Sequence, residues 1–472
     1  MSDKNPNADN INYDYLDTNN TNSTNNTNIK VGGKISDEHQ FSIMEPWSFV
    51  SDIKDIDIYA KDLEYIKDNH NFYRETLSEC YKIVIDYIRR NNRILVGGMS
   101  IDHALKLKGS FLYDTEKIDY DFITPEFYKD AYNIGQELSK KFDNISVIGA
   151  RHVSTIRVRY NFMVVADVTY VPQNLYDKIP TIEYEGTRNI HPHVQMIDQH
   201  RAMHFALENP PMETIISSRY EKDYKRYAML YKYYPIEINK NLSVNLKLFT
   251  VPYDYINGNC LGGYAAAIYW FKKANIKTNM NLVFEEDQIK ILMPADGTIL
   301  IFTDDINICK DFKNKKYYNS LLDKIPKRIE IKEDIPYEFY DNYGEIIVAE
   351  NYYNFHILGL AGTMLWLLTQ GTFYKNEWCL YMYAQLSVIF VKEGITKYLP
   401  SFEFFGKKNI SDANILQFER QLIKLGEMSA DLTSTPKNFY PKKNQNIPDA
   451  LYNFDPSKSK YYQFDALECA EF

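Results

Sequence analysis

The alternation of apolar and polar positions predicts most of the elements in the first half of the chain. Leu77, Tyr81, Val84 and Ile88 fall at i, i+4, i+7 and i+11, one stripe of a 3.6-residue period, which places a helix within 62–90. A short apolar run, Ile94-Leu95-Val96, reads as a strand that ends at Gly97-Gly98. Ser100 is placed to cap a following helix, with Ala104, Leu105 and Leu107 for packing and Gly109 to stop it. Residues 118–123 alternate apolar and acidic side chains, a strand pattern. Pro125 opens another helix, whose stripe is Phe127, Ala131, Ile134, Leu138 and Phe142. Strand-like runs follow at 145–148, 155–160 and 162–170. Helices and strands in this order predict a mixed sheet with helices on one side, an α+β fold.

Residues 196–234 read as helical again, and 239–252 as a strand with Leu242, Val244, Leu246 and Leu248 at alternate positions. Further strands are expected at 288–292, 298–302 and 345–348, and helices at 355–368 and 378–392. The expected organisation is an Asn/Thr-rich tail at 1–40, too polar to fold, then one domain at 41–235, a second α+β domain at 236–432, and an extended segment at 433–472.

Composition adds limits. The chain has 472 residues, net charge −9, 40 Tyr and 26 Phe. The excess of Tyr, Phe, Asn, Lys and Ile follows AT-rich codons, and the negative charge argues mildly against a nucleic-acid partner unless basic groups are local. Five cysteines without a Cys-x-x-Cys pair exclude an obvious zinc knuckle and a dense disulfide framework. The polar N-terminus carries no signal peptide, and the apolar run 355–368 is shorter than the ~20 residues that span a bilayer. A soluble, reducing compartment is expected. His191, His193 and His200 show no ligand spacing, and Pro192 between the first two suggests a loop.

The candidate chemistry begins with Asp119 and Asp121. Residues i and i+2 of a strand share a face, so the two carboxylates project together and repel unless a cation sits between them. A hard divalent ion with oxygen ligands, Mg²⁺ or Mn²⁺, relieves that repulsion. Gly97-Gly98 lies between a strand and a helix, where glycines admit a ligand to the backbone and a helix N-terminus offers N–H groups to phosphate. Asp167 interrupts an apolar strand, which is costly unless the carboxylate is paired or metal-bound. Its partner is a cation, the backbone, or an arginine such as Arg157 or Arg159.

An apolar strand, Gly-Gly-x-Ser, an Asp-x-Asp strand and a later Asp-bearing strand together resemble the polymerase-β-like nucleotidyltransferases. Within that superfamily, Asn92 to Gly98, Lys117 to Phe122 and Arg219 to Arg226 resemble the catalytic subunit of poxvirus-type poly(A) polymerases, in the version carried by giant DNA viruses. The resemblance covers roughly 45–235. It implies a nucleotidyltransferase-fold mixed sheet, and a second domain that is a degenerate, noncatalytic copy. In the second half Asp304 and Asp305 are adjacent and would point oppositely in a strand.

The resemblance also implies a reaction: template-independent transfer of AMP from ATP to an RNA 3′ end by two-metal in-line displacement. Asp119, Asp121 and Asp167 would hold the metals. Gly97, Gly98, Ser100, Lys222 and Arg226 would bind the nucleotide. Arg157, Arg159, Lys313, Lys315 and Lys316 would meet RNA phosphate, the lysines in a stretch interleaved with aromatic residues. A self-paired chain and a separate processivity subunit are the two arrangements expected, in host cytoplasm or virion. A catalytically inactive RNA-binding scaffold and a nucleotidyltransferase with another acceptor are the alternatives.

Overall fold

Neighbouring strand residues point to opposite faces of a sheet, and in this chain both faces are covered. Leu95 and Phe122 face helices α1 (Arg74–Arg90) and α3 (Phe127–Ser139), packing with Val84, Ile88, Ala131 and Leu138. Ile94 and Ile123 point the other way. They join Ile101 and Leu105 of α2 (Gly97–Lys106) and Val194 and Ile197 of α4 (Pro192–His204). Helices therefore lie on both sides of the sheet, where element order alone predicted one.

The computed structural model describes residues 74–113, 119–150, 155–161, 163–204, 213–239, 242, 245–302, 337–340, 349–352, 354–397, 438–443 and 445–453. They all belong to one compact unit, Asp37–Phe472. Tail residues 1–40, Lys313, Lys315, Lys316, Asp304, Asp305 and the expected strand at 345–348 lie outside the described residues.

Seven strands make the first sheet: β1 (Ile94–Val96), β2 (Tyr120–Thr124), β3 (Ile145–Gly149), β4 (Thr155–Tyr160), β5 (Met163–Tyr170), β6 (Thr181–Tyr184) and β7 (Thr187–Ile190). Their order is β3-β4-β5-β2-β1-β7-β6. β2 runs antiparallel to β1 and parallel to β5, while β1 runs parallel to β7, so the sheet is mixed as expected. The β6–β7 hairpin turns on Glu185 and Gly186, both at positive φ (46° and 71°), the conformation that matches strand twist.

Several helix limits differ from expectation; the helix expected to open at Pro125 begins at Phe127. The helix after Val96 starts at Gly97, three residues before the expected Ser100 cap, and Ser100 is buried within it. Gly97 adopts φ +66°, and this turns the strand directly into the helix without a capping side chain. Pro192 opens α4 instead of marking a loop, because proline suits the first helical position. The expected helix from 196 appears as α4 and α5 (Glu213–Tyr233). Last, the run from Phe355 starts as a strand and becomes helix only beyond Gly359.

The second half contains a three-stranded sheet of β8 (Leu246–Pro252), β10 (Asn281–Phe284) and β11 (Gln288–Pro294). A five-stranded sheet is made of β9 (Cys260–Leu261), β12 (Ile299–Phe302), β13 (Tyr337–Tyr340), β14 (Ala349–Tyr352) and β15 (Phe355–Leu358). Its order, β13-β12-β9-β15-β14, repeats the order β5-β2-β1-β7-β6 of the first sheet. The directions repeat as well: β12 is antiparallel to β9 and parallel to β13, and β9 is parallel to β15, which is antiparallel to β14. After β9, Gly262 caps helix α6 (Gly263–Lys273), whose first residue has φ +58°, as Gly97 has +66° after β1.

Two contacts tie distant segments together. One apolar core runs from Ile94 through Tyr227 of α5 to Leu367 in α7 (Leu360–Phe373) and Phe390 in α8 (Glu377–Lys397). In the other core, Phe439 and Ile447 pack with the residues of α3 and β3. Phe439 exchanges two backbone hydrogen bonds of 2.8 Å with Val147, and its ring meets Tyr132 edge-on at 5.8 Å. Tyr452 donates to Asn133 Oδ1 at 2.9 Å. The C-terminal segment thus continues the β3 edge of the first sheet.

Candidate active site

On the sheet, three charged residues stand side by side. Asp121 in β2 is the register partner of Asp167 in β5, and Asp167 is the partner of Arg157 in β4. Phe122, one residue on from Asp121, points to the α1–α3 core, which turns Asp121 to the other face. Asp119 precedes β2 and is half-buried.

Burial and mutual repulsion dominate the electrostatics here. Burial pushes the Asp121 carboxyl well above the usual carboxylate range, and the charges of Asp119 and Asp167 push it further. Burial also raises Asp119, with Asp167 next in effect. Arg157 and Arg226 pull both back down. Arg157 grips Asp167 with two hydrogen bonds, Nε to Oδ1 at 2.7 Å and Nη2 to Oδ2 at 2.6 Å. Arg157 is thus one of the partners the sequence left open for Asp167. Arg159 is buried, only 3% exposed.

Both turn glycines lie hard against their neighbours. A Cβ on Gly97 would lie 2.4 Å from Asp121 Oδ2, so Gly97 and the carboxylate can only coexist without a side chain. A Cβ on Gly98 would lie 2.2 Å from the Tyr113 hydroxyl and 3.1 Å from Arg226 Nη2. The Gly97 amide donates to Gln195 Oε1 at 3.1 Å. Gln195 itself is buried and donates to Asp198, which Arg201 holds from the next turn of α4. Arg226 reaches the turn from α5 and donates to the Tyr113 hydroxyl at 2.6 Å. Lys222, one turn earlier on α5, is exposed, and Asp223 beside it is buried.

Sequence reasoning missed three of these neighbours: Tyr113, Gln195 and Asp102. Asp102 is 1% exposed; its Oδ1 accepts the amides of Leu112 and Tyr113 at 2.7 and 3.2 Å. Its Oδ2 takes Lys106 at 2.8 Å. A buried Asp on an apolar helix was the available signal.

The donor set fits a hard cation: carboxylates raised by burial and by mutual repulsion on one face, beside a glycine whose missing Cβ leaves Asp121 room. As they stand, no three acidic, histidine or cysteine side chains among the described residues are arranged to hold a metal.

Residues 82–209, which contain the acids and the turn, match the family model described as poly(A) polymerase catalytic subunit. The resemblance read from the sequence is found. A protein of African swine fever virus (isolate Tick/Malawi/Lil 20-1/1983) described as a poly(A) polymerase catalytic subunit is 38% identical over 197 residues, 41% of each chain. An Acanthamoeba polyphaga mimivirus protein of the same description is 30% identical over 168 residues, 34% of this chain and 28% of its own. The match therefore spans about two-fifths of the African swine fever virus relative and less of the mimivirus one. The fold is similar to the crystal structure of the Megavirus polyadenylate synthase, with TM-score 0.56, 17% identity, and 87% and 90% of the two chains covered. Among the described residues, no helix is long and apolar enough to cross a membrane.

Proposed function

We propose that this chain adds AMP from ATP to RNA 3′ ends without a template. The observation that carries the reading is the meeting of Asp121, Asp167 and the Gly97–Gly98 turn on one sheet face, inside the segment that matches the polymerase family. Asp119, Asp121 and Asp167 are the residues to hold divalent metal. When bound, Mg²⁺ or Mn²⁺ supplies Lewis-acid stabilisation of phosphate oxygens and acidifies the attacking hydroxyl.

The remaining roles fall to the protein's own groups. Gly97 and Gly98 admit the triphosphate to the backbone, with Ser100 in the same helical turn. Arg226 and Lys222 neutralise phosphate charge from α5. Arg157 has a double part: it holds Asp167 in place through two hydrogen bonds, and it must release at least one Asp167 oxygen before that carboxylate can serve as a ligand.

We also infer that the second five-stranded sheet is a noncatalytic copy of the first. Its support is positional. Gly263 matches Gly97, and a Cβ there would meet Leu300 at 3.0 Å, as one on Gly97 meets Asp121. Leu300 and Thr298 then stand where Asp121 and Asp119 stand, and Glu338, the register partner of Leu300, stands where Asp167 does. One acid in place of three cannot assemble a shared metal site.

Primer extension with each NTP separately, with and without divalent metal, tests the main reading. ATP-dependent, metal-dependent extension of RNA is expected, and Asp119→Ala/Asp121→Ala should abolish it. Extension that survives the double substitution would overturn the assignment. Transfer only to a non-RNA acceptor would shift it to another nucleotidyltransferase class.

A further inference from the structure

Tyr113 lies over the turn on the spot that Gly98 leaves open. Its hydroxyl oxygen stands 2.2 Å from where a Gly98 Cβ would be, so it touches the backbone a ligand has to approach. The same oxygen accepts from Arg226 Nη2 at 2.6 Å. We propose that Tyr113 is a positioning residue that holds Arg226 over the Gly97–Gly98 turn in the nucleotide-free protein and yields it to an incoming phosphate. This rests on reading the turn as a triphosphate site.

Three observations support the exchange. First, an anionic phosphate oxygen is a better acceptor for a guanidinium N–H than a neutral phenol, so the hand-over runs toward bound nucleotide. Second, the main chain of Tyr113 is fastened independently of the bond its ring makes to Arg226. Asp102 takes the amides of residues 112 and 113 and is itself held by Lys106. The phenol can leave by a rotamer change while the backbone stays in place. Third, Arg226 feels the charges of Asp119 and Asp121. A neutral acceptor at the turn keeps the guanidinium from collapsing onto carboxylates that metal must reach. Burial keeps that phenol protonated, despite the opposing influence of Arg226.

Equilibrium binding of ATP with Mg²⁺, and separately of inorganic tripolyphosphate, tests the proposal in wild type, Tyr113→Phe, Arg226→Gln and the double variant. Tyr113→Phe deletes one competing hydrogen bond. It should tighten both ligands roughly three- to tenfold, and lower KM for ATP by a similar factor with kcat changed less than about twofold. In the Arg226→Gln background the Tyr113→Phe gain should vanish. Tyr113→Leu, which also lacks the hydroxyl, should shift affinity in the same direction.

Unchanged or weaker binding in Tyr113→Phe, or an equal gain without Arg226, overturns the proposal. If such a variant fails to tighten binding while wild type binds ATP and extends RNA, only the Tyr113 role is lost. A wild-type chain that binds neither ligand would remove both this role and the function proposed above.

Discussion

Arg157 and Asp167 face each other across neighbouring strands and share two hydrogen bonds of 2.7 and 2.6 Å. The arginine thus occupies the carboxylate on which the proposed metal site depends. Arg157→Gln should lower the metal-free stability by about 1–3 kcal/mol, because it leaves Asp167 beside two other acids without its partner. The same variant should gain more from Mg²⁺ than wild type does, since no guanidinium competes. Thermal melting with and without Mg²⁺ measures both changes. An equal metal-induced shift in the two proteins would show that the arginine does not compete.

Gly97→Ala should be far more damaging than Gly109→Ala. Both glycines have positive φ, +66° and +73°, so each substitution carries backbone strain of roughly 1–2 kcal/mol. Only at Gly97 would the added carbon also strike Asp121, 2.4 Å away, while nothing lies within 4 Å of a Cβ on Gly109. Extension activity should therefore fall at least about a hundredfold in Gly97→Ala and stay near wild type in Gly109→Ala. Similar activity in both variants would remove the steric argument.

Phe439→Ala should destabilise the sheet that carries the acids. The ring is 5% exposed and sits in the α1–α3 core against Tyr132. Its loss is expected to cost about 3–5 kcal/mol. Chemical denaturation followed by tyrosine and tryptophan fluorescence gives the value. A loss below about 1 kcal/mol would mean the segment is only loosely held.

Acid should weaken the helix layer around His200. Burial lowers this imidazole from 6.5 to about 3, and its Nε2 lies 2.8 Å from the Tyr383 hydroxyl. The folded state holds the ring neutral, so the unfolded state binds the extra proton once pH drops below about 6.5. Stability is then complete above that pH and declines as pH falls toward about 3, with a loss on the order of 2 kcal/mol at pH 5 from this group. His191, lowered to about 4 by burial and by His193, adds in the same direction. A His200→Asn variant should show a shallower decline in melting temperature between pH 7 and pH 5. Parallel curves would rule the histidine out as the cause.

Local pattern made much of the site legible. Period-two alternation showed Asp119 and Asp121 on one face, and Gly97-Gly98 stood out between an apolar run and a helix. Asp167 was conspicuous as an acid in an apolar strand, but that Arg157 lies opposite it emerges only from the strand register. The apolar run from Phe355 was ambiguous because a strand buried on both faces and a buried helix have the same composition. Tyr113 escaped notice because its partner is Arg226, which only the folding of α5 brings to the turn. Gly262-Gly263 repeats the signal at Gly97-Gly98, but the acids that gave the first its meaning are absent from β12.

Phe439 and Ile447 complete the hydrophobic packing around α1, α3 and the first sheet, although their codons come after those of the entire second sheet. Chains emerge from the ribosome N-terminus first, so the sheet that carries Asp121 and Asp167 lacks this packing until Phe439 and Ile447 have been made. A message cut short after the second sheet would yield a chain with every proposed catalytic group and an unclosed interior, a natural substrate for cellular quality control.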